Sequence, residues 1–172
     1  MSTLKSGAEI ERRFLLKGLP DDLVLLGCQR FLYETVYIYT GDPEVRLRKV
    51  TSLADGAMVR PTFSLAVKFG SGIVRTEFIN DAPQELFEER AKQGYLILVK
   101  VRYKLRHDGL VWEIDDFDET FRGKKFYMAE AELGHMNQRI SVPSCLKKLI
   151  VKEVTNDSMY NNRNLATFGI PK

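Results

Sequence analysis

The sequence predicts a mainly β protein of the α+β class, with about eight mostly antiparallel strands forming a barrel or a sandwich. Three observations predict it. Apolar and polar residues alternate with a period of two through most of the chain. Gly-, Pro- and Asp-containing turn signals break these runs at hairpin-length intervals. Only one stretch in the middle of the chain carries firm helix punctuation.

The first strand is Ala8–Leu16. Glu9, Glu11 and Arg13 fall on one face, and Ile10, Arg12, Phe14 and Leu16 on the other. Two carboxylates spaced i, i+2 lie about 7 Å apart along a strand, close enough to share a cation and costly to leave as bare neighbours. The run from Lys17 to Pro20 is a turn, and Asp21 or Asp22 can cap a short helix. Arg30–Thr40 is rich in β-branched and aromatic residues and is closed by Gly41-Asp42-Pro43. Glu44–Val50 places Arg46, Arg48 and Val50 together. A loop over Thr51–Pro61 follows, and then a strand over Thr62–Phe69 with Ser64, Ala66 and Lys68 on one face. Gly70-Ser71-Gly72 predicts a hairpin into Ile73–Ile79, where Arg75 and Glu77 share a face.

Pro83–Gln93 is the helix: proline near its start, early glutamates, Lys92 late and Gly94 just beyond. Leu96–Leu105 aligns Lys100, Arg102 and Lys104. His107-Asp108-Gly109 turns the chain into Leu110–Asp118, where Glu113 and Asp115 oppose Trp112 and Ile114. After a loop over Arg122–Lys125, Phe126–Leu133 sets Glu130 and Glu132 against four apolar positions. The tail reads as a short helix over Ser144–Val151, then an irregular polar segment.

The 172 residues suggest one domain over 1–172, and an apolar fraction of 44% suits a globular core. A net charge of +3, from 26 basic and 23 acidic residues, argues only weakly for an anionic partner. No apolar run approaches signal or membrane-span length, and Cys28 and Cys145 form no disulfide framework, so a cytoplasmic protein with free thiols is expected. His107 and His135 belong to no ligand-spaced cluster.

Charge sorting carries the functional reading. The first strand and the last two give Glu9, Glu11, Glu113, Asp115, Glu130 and Glu132; the strands between them give Arg46, Arg48, Lys68, Arg75, Lys100 and Arg102. A solvated face mixes signs. If the first and last strands are neighbours in a closed sheet, the carboxylates converge opposite a cluster of fixed cations. Mg²⁺ or Mn²⁺ suits the acidic side, and a polyanion suits the guanidinium and ammonium groups. The expectation is a tunnel holding a metal-bound oligophosphate, with the apolar strand faces outward under the helices.

Glu9-Ile-Glu11-Arg-Arg13 resembles the ExExK signature of the CYTH, or triphosphate tunnel metalloenzyme, superfamily. The resemblance runs in order through Glu44-Val-Arg46-Leu-Arg48, Leu65-Ala-Val-Lys68, Arg75-Thr-Glu77 and Lys100-Val-Arg102. It continues through Trp112-Glu113-Ile-Asp115, Glu130-Ala-Glu132, Glu153-Val-Thr155 and Tyr160-Asn-Asn162. It implies a closed eight-stranded antiparallel tunnel acting on triphosphorylated small molecules with Mg²⁺ or Mn²⁺. By position it implies Glu9, Glu11, Asp115, Glu130 and Glu132 at the metal, and Arg46, Arg48, Lys68, Arg75, Lys100 and Arg102 on the phosphates.

Tyr37 falls where small bacterial triphosphatases of this family carry a tyrosine paired with the signature lysine, so Tyr37 and Arg13 are the implied catalytic pair. Arg13 departs from that lysine. Arginine keeps its charge and offers a planar fork, which suits phosphate binding or orientation of Tyr37 better than proton transfer. Terminal-phosphate hydrolysis of inorganic triphosphate is the leading expectation. Thiamine or nucleoside triphosphate hydrolysis, adenylyl cyclisation and non-catalytic polyphosphate or nucleotide binding are the alternatives. Nucleic acid is a poor partner because carboxylates interrupt the basic strands. A homodimer is compatible with the sequence.

Overall fold

A computed structural model describes residues 5–54, 59–70 and 74–172. Eight strands close into an antiparallel barrel: β1 (Lys5–Leu16), β2 (Gln29–Tyr39), β3 (Glu44–Ser52), β4 (Thr62–Phe69), β5 (Val74–Asp81), β6 (Leu96–His107), β7 (Leu110–Asp116) and β8 (Tyr127–Glu132). Their order around the barrel is β1-β5-β4-β3-β2-β6-β7-β8, with β8 returning to β1. Closure follows from β1, whose first half pairs with β5 and whose second half pairs with β8.

Side-chain alternation sends one face of every strand into the barrel. The outer faces supply two apolar layers. Phe14, Leu16, Trp112, Ile114 and Ala129 pack on the outside of β1, β7 and β8, beneath Leu146 of helix α4 (Ser144–Lys147). Val36 and Leu47 are covered by Phe87 of helix α2 (Gln84–Lys92), the helix expected from Pro83 and Gly94. A short helix, α1 (Asp22–Leu26), has Asp21 at its N-cap position without a capping side-chain hydrogen bond. The β6–β7 turn puts Asp108 and Gly109 at φ 48° and 74°, the left-handed pair that a tight two-residue hairpin requires. The hairpin expected at Gly70-Ser71-Gly72 and the Gly56 loop fall largely outside the described residues.

The tail differs from expectation. Helix α4 stops at Lys147, and Ile150–Glu153 forms a ninth strand, β9, along β1. The edge of β1 beyond its pairing with β5 would otherwise lie unpaired, and Ile150-Val151 suits a strand better than a helix. The stretch expected to be irregular forms a 3₁₀ turn (Ser158–Tyr160) and helix α5 (Asn162–Phe168), capped by the Asn161 side chain accepting from the Asn164 amide. Helix α3 (Asp118–Phe121) occupies the expected end of the β7 strand.

These C-terminal elements fill part of the barrel. Val154, Tyr160 and Leu165 pack against the inward-facing Tyr37, Leu98, Phe117, Phe126 and Met128. One part of the interior is therefore an apolar plug, where the alternation pattern alone leads one to expect an open tunnel.

Candidate active site

The rest of the interior is charged. Glu9, Glu11 and Arg13 of β1, Arg46 and Arg48 of β3, Lys68, Arg75 and Arg102, and Glu113, Glu130 and Glu132 line one cavity. Glu44 from the start of β3 and Asn161, Asn162 and Arg163 from the C-terminal segment complete its wall. The side chains leave about 60 Å³ of free space, room for a few waters.

The two electrical halves expected to face each other across a gap are instead joined by direct ion pairs. The reason is the closure register: β1 carries acids and lies directly against β5, with Glu9 opposite Arg75. Lys68 Nζ donates to Glu9 at 2.6 Å, and Arg75 contacts both Glu9 (3.1 Å) and Glu11. Arg46 donates to Glu77 at 2.8 Å, so Glu77 serves the cations of β3 and β4. Arg102 reaches Glu113, Asp115 and Glu130, the last at 2.6 Å.

The acids titrate according to how well each is paired. Burial works to raise Glu9, but Lys68 and Arg75 outweigh it and hold the group below the ordinary carboxylate range. Glu130 is driven far lower, because Lys100, Arg102 and Arg13 overcome its burial. Glu11 is pushed up to about 7 by burial and by the neighbouring Glu130 and Glu9, with Arg75 compensating only in part. Glu132, directly across from Glu11 on β8, makes no ion pair among the described residues; burial, Glu113 and Glu9 raise it too. The acidic wall is thus least compensated at two places on the β1–β8 seam: Glu11, whose ion pairs with Arg75 and Arg13 (3.6 Å) do not offset its burial and acidic neighbours, and Glu132, which has no ion pair among the described residues. Even so, among the described residues no three acidic, histidine or cysteine side chains surround a common point at metal-ligand spacing.

Two expected residues stand behind the wall. Asp115 is fully buried, and its oxygens accept from Lys100 Nζ (2.5 Å) and from Arg102 Nε and Nη2 (2.6 Å each). Neither Asp115 nor Lys100 lines the cavity. Asp115 holds Arg102, which does, and Lys100 in turn holds Asp115.

The implied Tyr37–Arg13 pair is not formed. Tyr37 belongs to the apolar plug, its hydroxyl makes no hydrogen bond among the described residues, and burial raises its pKa well above the ordinary tyrosine value against the pull of Arg46. Arg13 is held by the C-terminal segment instead: its amide donates to Thr155 Oγ1 at 3.1 Å and its Nη2 to the Thr155 carbonyl at 2.8 Å. A general acid–base role for Tyr37 would make Tyr37→Phe cost 10²–10⁴ in kcat. From this packing we expect a change of less than about threefold, read from steady-state kinetics; a hundredfold loss would restore the role.

Sequence reading assigned no site role to Glu44, Asn161, Asn162 or Arg163. Arg163 donates to the carbonyls of Thr40 (2.9 Å) and Gly41 (3.1 Å), which ties α5 to the β2–β3 turn beside the cavity. The signal available was Asn161 followed three residues later by Asn164, a weak cap within a polar run.

Fold and site together define a closed β tunnel with an interleaved acidic and basic lumen. The chain is 31% identical over 165 residues to an inorganic triphosphatase of Acetivibrio thermocellus, covering 92% of this chain and 93% of that one. It therefore belongs to the CYTH, or triphosphate tunnel metalloenzyme, family. The crystal structure of the inorganic triphosphatase NE1496 matches with a TM-score of 0.61 at 24% identity, over 95% of this chain and 97% of that one. A second crystal structure, described as the hypothetical protein NE1496, matches with a TM-score of 0.57 at 26% identity, over 95% and 99%. No family model matches the sequence. Among the described residues no helix is long and apolar enough to cross a membrane.

Proposed function

We propose that this protein is a divalent-cation-dependent hydrolase that removes the terminal phosphate of inorganic triphosphate. The observation that carries the reading is the single lumen onto which Arg46, Arg48, Lys68, Arg75 and Arg102 converge beside under-neutralised Glu11 and Glu132. Such a lumen suits a compact polyanion that arrives with cations, and the Acetivibrio thermocellus relative is named for such an activity.

The donor set fits Mg²⁺ or Mn²⁺: all oxygen, with Glu11 and Glu132 facing each other across the seam and Glu9 and Glu130 beside them. When bound, the metal would neutralise phosphate oxygens and acidify the attacking water. Glu11 and Glu132 would hold the cation, leaving Arg75, now paired with Glu11, for the phosphates. Arg46, Arg48 and Arg102 would hold the phosphate chain through charge-assisted bonds, so that positioning and electrostatics supply most of the acceleration. Arg13, fixed by Thr155, offers a permanent positive fork to the phosphates and no proton to exchange. Asp115 and Lys100 act one layer back, as the anchor of Arg102. A cytoplasmic setting agrees with the two free cysteines.

The test is phosphate release from inorganic triphosphate, ATP, GTP, thiamine triphosphate and longer polyphosphate, with Mg²⁺, Mn²⁺ or neither. Metal-dependent release, fastest with inorganic triphosphate, is expected. Cyclic AMP from ATP, or tight binding without release, would replace the reading with a cyclase or a binding module. Arg48→Ala should raise KM for triphosphate about tenfold or more, through loss of a guanidinium–phosphate contact. Unchanged KM and kcat would remove Arg48 from the site.

A further inference from the structure

Arg48 is the exception among the lumen cations. Arg46, Lys68, Arg75 and Arg102 each have a carboxylate within ion-pair distance. Arg48 has none among the described residues; its buried Nε, like those of Arg46 and Arg75, lacks a hydrogen-bond partner. Its guanidinium carbon lies instead 5.2 Å from the ring centroid of Tyr33, and the Arg102 guanidinium carbon lies 5.2 Å from the same centroid. Tyr33 is buried on β2, between the strand that carries Arg48 and the strand that carries Arg102. Two like charges that approach each other would repel, and the electron-rich ring attracts both.

We propose that Tyr33 is a positioning residue for anion binding: its ring holds Arg48 as an uncommitted guanidinium that takes a phosphate group without breaking an ion pair. The inference rests on the triphosphate reading of the lumen and assigns the first contact within it. Arg46, Lys68, Arg75 and Arg102 each share their donors with a carboxylate, whereas Arg48 among the described residues has its contact with the ring and no ion pair. The role belongs to the π face of Tyr33 and not to its hydroxyl, so phenylalanine should replace it and an aliphatic residue should not.

The experiment compares wild type, Tyr33→Phe and Tyr33→Leu. It measures binding of inorganic triphosphate by calorimetry without metal, and KM and kcat for its hydrolysis with Mg²⁺, alongside circular dichroism and Tm. Tyr33→Phe should stay within about twofold of wild type, whereas Tyr33→Leu should raise Kd and KM about tenfold and change kcat less than about threefold. In an Arg48→Ala background, Tyr33→Leu should add little, because both changes remove the same seat. If Tyr33→Leu does not fold, Tyr33→Met carries the same comparison. Wild-type Kd and KM in the aliphatic variant would overturn the role, as would Tyr33→Phe being equally impaired. A wild-type protein that neither binds nor hydrolyses triphosphate would overturn the lumen reading itself, and this inference with it.

Discussion

Asp115→Ala is expected to destabilise the protein by about 3–5 kcal/mol, the cost of leaving a buried charge without its partner. Asp115 is fully buried and receives three short hydrogen bonds, one from Lys100 and two from Arg102. Arg102 keeps Glu113 and Glu130 after the change, but Lys100 loses its ion-pair partner and retains the Phe117 ring, 5.3 Å from Nζ. Burial and Arg102 already lower the Lys100 pKa against the pull of Asp115. Without the aspartate, the ammonium is strongly disfavoured in the folded protein. For a chain of 172 residues the loss corresponds to a fall in Tm of about 10 °C, measured by calorimetry or circular dichroism. Asp115→Asn, which keeps one carbonyl acceptor, should fall between the two. A variant that melts within about 2 °C of wild type would show that the lumen does not depend on this anchor.

Glu11→Gln should do the opposite: abolish metal-dependent phosphate release, by about 100-fold or more, while stability stays level or rises. Glu11 sits opposite Glu132 in the β1–β8 register, and burial, Glu130 and Glu9 raise its pKa with Arg75 compensating only in part, so its negative charge opposes folding in the absence of a cation. Glutamine keeps the shape and removes the charge. Glu132→Gln should behave alike, since Glu132 is also under-compensated, on the other strand. The assay pairs phosphate release across a Mg²⁺ and Mn²⁺ series with thermal melts. Full turnover in either variant would take that residue out of the metal side. A large fall in Tm would show that its charge serves the fold.

The sequence made the strand faces legible because a period of two is a local property. Glu9, Glu11 and Arg13, Arg46 and Arg48, Glu113, Glu130 and Glu132 could each be sorted from neighbouring residues alone, and all line the lumen. Closure was less visible. That β1 would divide its pairing between β5 and β8, and so set Glu9 against Arg75, depends on contacts far apart in the chain. This is why ion pairs replace the expected gap. The apolar plug was hidden for another reason: Leu98 and Met128 share parity with charged residues on their own strands, as Phe117 does with Glu113 and Asp115 just past the end of β7, and alternation cannot say where along a strand the interior changes character. The β9 strand escaped notice because four residues carry little pattern, and their conformation is decided by the open edge of β1.

β1 has a kinetic consequence. None of its partners is close in the chain: Glu11 meets Arg75 at a separation of 64 residues, and Arg12 meets Glu153 at 141. Loops of that length are slow to close, so this strand is expected to dock after the local hairpins β2–β3 and β6–β7 have formed. A chain stalled before that step has its hairpins but no enclosed lumen. Maturation of the lumen therefore falls together with completion of the barrel.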